Sequence, residues 1–207
     1  MSDQAYDVFA REQIDRVAIA DLIQRERISR DMRLWEQMAA CYSKDSFIDI
    51  AWIQGSGAHF VAESQRMVGQ GLRTFHETGP SRIQVKGDRG IADTATIIHM
   101  IGAIDGIDVD IVCHARMYTR VVREEGQWLL HGIRSVYLQD MMFPLDPTRI
   151  PEIDLTEFVD FPSSYRIMSY MLKRNGLPAW PEQPGMDRPA SVLPILAGED
   201  AWLAEAR

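Results

Sequence analysis

The chain predicts an α+β fold, on three observations. Apolar residues recur at helical spacing through about the first 45 residues, three long β-rich segments with turn residues between them follow, and only Pro80 of the ten prolines precedes Pro144. Helices segregated from a run of strands indicate α+β architecture rather than a doubly wound sheet. A curved antiparallel sheet wrapped around N-terminal helices makes a cone-shaped barrel whose interior can hold a small ligand.

The elements follow in order. Ile14, Val17, Ala18, Leu22 and Ile23 form one helical stripe, and Leu34, Met38, Ala39 and Tyr42 resume it after an interruption near Ser29-Arg30-Asp31. Ser29 or Asp31 at that junction has the chemistry to cap the second helix. A strand is expected from about Ser46 to Gln54, a turn at Gly55-Ser56-Gly57, and a helix from about Ala58 to Phe75 weakened by Gly69 and Gly71. The β-rich segments run from about Arg82 to His99 with a turn at Gly87-Asp88-Arg89-Gly90, from Asp108 to Arg123, and from Gln127 to Met142. Asp105-Gly106 and Glu124-Glu125-Gly126 have hairpin chemistry. Composition shifts after Phe143, dividing the chain into a domain over 1–143 and an extension over 144–207. Ser163 to Asn175 reads as the extension's one helix, and the rest as an arm that lays Trp180 and Trp202 on its own domain or on a partner subunit.

Composition narrows the function classes. Hydrophobic residues at 46% and charged residues at 25% are ordinary for a globular chain with a sizeable core. A net charge of -8 with no basic stripe argues against nucleic-acid binding. Cys41 and Cys113 are too few and too isolated for a metal site or a disulfide framework, so a reduced compartment is expected. Neither a basic start with an apolar run nor a stretch of roughly 18 apolar residues is present, so the expectation is a cytoplasmic protein without membrane contact. No HExxH or HxH arrangement supports a metal, no glycine pattern supports a nucleotide, and no nucleophile elbow appears; no cofactor is expected.

The chemistry is carried by Asp31, at the end of the first helical pattern, and His76, at the head of the segment His76-Glu77-Thr78-Gly79-Pro80-Ser81. A carboxylate that fixes one imidazole tautomer makes the other ring nitrogen a competent base. The alternatives are a capping role for Asp31 and a helix-terminal histidine bonded to carbonyls for His76. His99 shares a strand face with Ile97 and Ile101; it is either a core histidine or an acid facing the interior. Arg134 shares a face with Trp128, Leu130, Val136 and Leu138, where a guanidinium needs an anion or an internal salt bridge. Trp52 alternates with Ile48 and Ile50, as core packing or as pocket wall. His114, Arg116, Tyr118 and Arg120 read as the outer sheet surface.

Taken together, Val17-Ala18-Ile19-Ala20-Asp21-Leu22-Ile23, Asp31, Leu34-Trp35-Glu36-Gln37-Met38, Cys41-Tyr42-Ser43-Lys44-Asp45, His76 and Gly126-Gln127-Trp128 resemble the SnoaL-like branch of the nuclear transport factor two superfamily, over roughly residues 10 to 145. The resemblance implies a cone-shaped barrel with one deep pocket per subunit, assembled as a homodimer or homotrimer. Its pattern is most similar to the cofactor-free lyases scytalone dehydratase, bile-acid dehydratase and hexachlorocyclohexane dehydrochlorinase, which place an Asp-His dyad where Asp31 and His76 stand. Many members carry Tyr or Lys five residues before the dyad aspartate. Here that position is Glu26, a substrate contact or a competitor for the proton. A second pocket histidine can protonate a leaving hydroxyl, which makes His99 the candidate. The implied activity is a cofactor-independent lyase on a small apolar, cyclic or aromatic molecule. The alternatives are an isomerase or polyketide cyclase on the same dyad, and a non-catalytic subunit like the small subunits of ring-hydroxylating dioxygenases.

Overall fold

The computed structural model describes residues 3–206. Helix α1 (Asp3–Asp31) contains no glycine or proline, so nothing interrupts it for 29 residues. Its buried face is Asp15, Ile19, Leu22, Ile23, Glu26, Arg27 and Arg30. This corrects the predicted stripe, because Ile14 and Val17 are 68% and 70% exposed. Asp15 is drawn inward by partners, accepting from Arg123 Nη2 at 2.6 Å and Trp128 Nε1 at 3.1 Å.

The junction after α1 is a Schellman turn. Leu34 N donates to Ser29 O at 2.7 Å, Arg33 N donates to Arg30 O at 3.1 Å, and Arg33 takes φ 61°. Helix α2 (Trp35–Ala39) has Leu34 at its N-cap and no side-chain cap, so neither Ser29 nor Asp31 serves there. The Asp31 side chain is left for another partner.

Strand β1 (Tyr42–Ile50) begins where the helix was expected to persist, and it turns back at Ala51-Trp52 into β2 (Ile53–Ser56). The expected single strand is therefore a hairpin, pinned by Ala51 N donating to Tyr137 Oη at 2.9 Å and Trp180 N donating to Ala51 O at 3.1 Å. Helix α3 (Gly57–Gly69) is capped by Ser56, whose Oγ accepts from His59 N at 3.1 Å. It ends at Gly69, short of Phe75, because Gly71 takes φ 92°.

Strands β3 (Arg73–Lys86), β4 (Arg89–Ile104), β5 (Ile107–Glu124) and β6 (Gln127–Pro144) form the antiparallel meander. The turns Asp105-Gly106 and Glu125-Gly126 place both residues at positive φ, which is the hairpin chemistry their sequence carries. The sheet order is β2-β1-β6-β5-β4-β3, with β1 parallel to β6. The sheet is curved and open, with β2 and β3 as its two edges.

The extension folds back over the domain. Helix α4 (Arg166–Arg174) buries Met168, Met171 and Leu172, and Tyr165 is fully buried with its ring 4.6 Å from that of Tyr137. Asp140 Oδ2 accepts from Met168 N at 2.7 Å, capping α4 from a different strand. Helix α5 (Leu193–Ala204), a helix where an extended arm is expected, is held by Glu199 paired with Arg120 at 2.8 Å. Trp202 stacks on His131 with centroids 5.0 Å apart, and the Arg89 guanidinium carbon lies 4.0 Å from the indole centroid. No described helix is long and apolar enough to cross a membrane.

Candidate active site

The concave face of the sheet, the inner faces of α1 and α3 and the start of α4 surround a hollow. Its walls include Trp52, Phe60, Ile98, Met100 and Tyr137, with Met168 of the extension closing it. Its polar groups are Arg27, Arg30, Thr74, His76 and Ser135. Four methionines (Met67, Met100, Met117 and Met168) give the wall flexible side chains that can repack around an occupant.

Asp31 and His76 are brought together here. His76 Nδ1 lies 2.8 Å from Asp31 Oδ1, and His76 N donates to Asp31 Oδ2 at 2.8 Å. His76 sits within β3 paired with Ile98 rather than at the end of a helix of its own, and it meets the last residue of α1 through the Asp31 carboxylate, not through backbone carbonyls. Its side chain is 5% exposed and that of Asp31 14%.

The tautomer follows from the partners. Burial opposes ionisation of Asp31, yet the hydrogen bond from His76, with the charges of Arg30 and Arg27, holds its carboxyl below the usual range, so it accepts. On the other side, Nε2 faces Arg27 Nη1 and Arg30 Nη1, each at 3.4 Å, and guanidinium nitrogens only donate. Nδ1 therefore carries the proton and Nε2 presents its lone pair. Burial, then the Arg27 charge, pulls the imidazole pKa down to about 3 against the opposing bond to Asp31, which keeps the ring neutral.

Both arginines are 5% exposed, and they were not singled out in the sequence. Arg27 Nη2 pairs with Glu26 Oε2 at 3.0 Å. Arg30 Nε donates to Ser64 Oγ at 3.3 Å and its Nη1 to Thr74 Oγ1 at 3.2 Å, while its nearest carboxylate oxygen, Asp31 Oδ1, is 3.9 Å away. The Arg30 guanidinium carbon lies 5.5 Å from the Phe60 ring and 6.0 Å from the Trp52 ring. Burial and the Arg27 charge lower its pKa to about 10, which leaves it cationic at neutral pH. The signal for both was the helical spacing from Ile19, Leu22 and Ile23 to Glu26, Arg27 and Arg30, legible once the stripe is phased on Ile19.

The other predicted site residues divide. Trp52 lies on the wall of this hollow. Glu26 lines an adjoining cavity beyond Arg27, with Thr78, Thr94, Thr96 and Thr119. It accepts from Tyr42 Oη at 2.6 Å and pairs with Arg27 at 3.0 Å, and among the described residues it has no hydrogen bond to His76. His99 is on the opposite face of the sheet, a correction to the interior position expected for it. Its ring stacks on Phe75 at 4.1 Å, and its Nδ1 lies 2.8 Å from Asp110 Oδ2. Thr94, Thr96, Ile98 and Met100 point inward instead, so the inward face of β4 is the one with the threonines, and apolarity misidentified it.

Arg134 is also outside, in a recess with Asp45, Tyr118, Arg120 and Glu199, where no substrate of the hollow reaches it. The cause is a bulge. Arg120 pairs with Gly132 and Val121 with Leu130, so His131 is the extra residue and the pleat reverses across it. Leu130 faces in, and beyond the bulge Ile133, Ser135 and Tyr137 do, leaving Arg134 out.

The model of the SnoaL-like domain matches residues 11–134. Pea pathogenicity protein 2 of Fusarium vanettenii is 21% identical over 93% of this chain and 84% of its own length. The crystal structure of hexachlorocyclohexane dehydrochlorinase LinA-type3 from Novosphingobium barchaimii LL02 superposes with a TM-score of 0.52 and 19% identity, covering 69% of this chain and 96% of that one. A variant of Rv3472, a function unknown protein from Mycobacterium tuberculosis, gives 0.55 and 16%, over 85% of this chain and 96% of its own. At such identity the structural likenesses show a shared fold.

Proposed function

This chain belongs to the SnoaL-like domain family, and on that premise we propose that it is a cofactor-independent lyase of the dehydratase, dehydrohalogenase or aldehyde-releasing type, acting on a small cyclic or aromatic molecule. The observation that carries the reading is the two-point hold of Asp31 on His76 inside a hollow walled by apolar side chains. For loss of water or hydrogen halide, His76 Nε2 takes a carbon-bound proton. For release of an aldehyde it takes the hydroxyl proton of the carbinol carbon, whose C–C bond breaks as the C=O forms and leaves its electron pair on the ring fragment, which is then protonated. Asp31 keeps the ring oriented and offsets the positive charge as the imidazolium forms. In the first case the electron pair left on carbon expels hydroxide or halide from the neighbouring carbon, and the imidazolium returns its proton to that group or to water. General-base catalysis of this kind contributes typically about 10² to 10⁴-fold.

The test is turnover of substrates drawn from cyclic and aromatic alcohols and halides. His76→Ala and Asp31→Asn are expected to abolish it while the circular-dichroism spectrum stays that of the parent. A folded His76→Ala protein with full activity overturns the assignment. Product mass separates elimination from isomerisation on the same dyad, since an eliminated product is lighter by water, hydrogen halide or an aldehyde and an isomer is not. The protein is further proposed to act as a homodimer or homotrimer, which sedimentation measures directly.

A further inference from the structure

The general base and its orienting carboxylate leave two charged groups of the hollow unused. Arg27 and Arg30 each bring Nη1 to 3.4 Å from one and the same atom, His76 Nε2. A buried guanidinium is stable only when an anion or strong acceptors replace its water. Arg27 has Glu26 at 3.0 Å on its Nη2 and turns its Nη1 inward. Among the described residues Arg30 has two hydroxyls and the imidazole at hydrogen-bond distance, at 3.2–3.4 Å, and its nearest carboxylate already holds His76. Such bonds lie at or beyond the long end of the usual 2.7–3.2 Å, and a charge-assisted bond to an oxyanion is shorter and roughly twice as strong. The two cations thus rest on the lone pair that the base needs.

We propose that Arg27 and Arg30 form an anion clamp, that the substrate carries an ionised oxygen on or next to its ring, and that docking of this oxygen draws the guanidiniums off His76 Nε2 and frees it to accept a proton. The inference deepens the lyase reading and rests on it for the role of His76. The groups facing the imidazole are Arg27 and Arg30 at Nε2 and Asp31 at Nδ1, with Glu26 and Tyr42 behind Arg27. An oxyanion on the clamp neutralises the two positive charges that hold the imidazolium down, so substrate binding and base strength rise together. The free protein keeps a weaker base, and an anionic ligand makes it a stronger one.

The experiment uses matched probes on the full chain. Benzoate and cyclohexanecarboxylate report a carboxylate source, each against its neutral amide, and 4-nitrophenol reports a phenolate through its absorbance. Calorimetry is expected to give at least one of the acids about ten-fold tighter binding than its amide, or 4-nitrophenol bound as the anion at a pH where the free phenol is protonated. In ¹⁵N-histidine spectra, the His76 titration midpoint is expected to rise on saturation with the bound anion. Arg30→Gln and Arg27→Gln, each checked for native circular dichroism, are expected to reduce the preference to about two-fold or less. Equal binding of acid and amide, binding of none of the anions, an unmoved His76 midpoint, or a preference that survives in a folded arginine variant overturns the clamp. His76→Ala separates this from the dyad. It is expected to lose turnover and keep the anion preference, whereas retained turnover with retained preference removes the dyad and leaves the anion site standing.

Discussion

Asp31 grips His76 at two atoms, one oxygen on the ring Nδ1 and the other on the backbone nitrogen of the same residue, both at 2.8 Å. The backbone bond fixes where β3 passes the end of α1, and the ring bond fixes which way the imidazole faces. One carboxylate therefore sets both position and tautomer.

Asp31→Asn separates those two functions. The amide has one acceptor in place of two, so it keeps one bond and loses the other. The expected cost is about 1 kcal/mol of stability, read from urea unfolding, together with a mixed His76 tautomer in ¹⁵N spectra. A spectrum that stays purely Nδ1-protonated contradicts the assignment of the proton to the bond with Asp31.

His76 makes the protein sensitive to acid. Its folded pKa of about 3 lies below that of the unfolded chain, near 6.5. The stability gained by keeping it neutral is complete above about pH 6.5 and is lost as the pH falls, because the unfolded state then binds a proton that the native state refuses. The His76→Gln variant should gain on the parent by about 2 kcal/mol between pH 7 and pH 5. Parallel unfolding curves for the two proteins at both pH values contradict this.

Asp140 acts in the opposite direction. Burial raises its carboxyl to about 6 despite the N–H groups it accepts from at the start of α4. A raised acid is best tolerated below the unfolded pKa near 3.9 and costs stability as the pH climbs to about 6. Asp140→Asn keeps a carbonyl acceptor for Met168 N and is expected to be about 1–3 kcal/mol more stable than the parent at pH 7, with the advantage gone near pH 4. Destabilisation at pH 7 would mean that the charge itself holds α4.

Arg33 is exposed and sits at φ 61° in the Schellman turn, where glycine has no Cβ penalty. Arg33→Gly is expected to raise stability by roughly 0.5–1 kcal/mol. A lower urea midpoint would show that the arginine side chain contributes more than its backbone conformation costs.

Met168 tests the extension as a wall of the hollow. It is 2% exposed and lines the same cavity as His76. Met168→Ala is expected to cost about 2–5 kcal/mol and to enlarge the space beside the imidazole. A change below about 0.5 kcal/mol would show that α4 contributes little to closing the site.

What could be read from the sequence alone rests on interactions a few residues long. Asp105-Gly106 and Glu125-Gly126 dictate their hairpins through left-handed backbone that only such pairs adopt cheaply, and unbroken helix formers dictate α1. The α+β class and the helices-then-meander order follow from that level, whereas the choice of Asp31 and His76 as candidate partners came from the family resemblance, and the β1–β2 hairpin and α5 were not legible. Tertiary structure decided what faces the interior. The extra residue at His131 reverses the pleat and puts Arg134 outside, and β4 turns its threonines inward and His99 outward. Long-range partners likewise bury Arg27 and Arg30 beside His76, and a cap from Asp140 seats the extension over the hollow. Local propensity is blind to such choices, because pleat direction and the burial of a charge depend on groups tens of residues away.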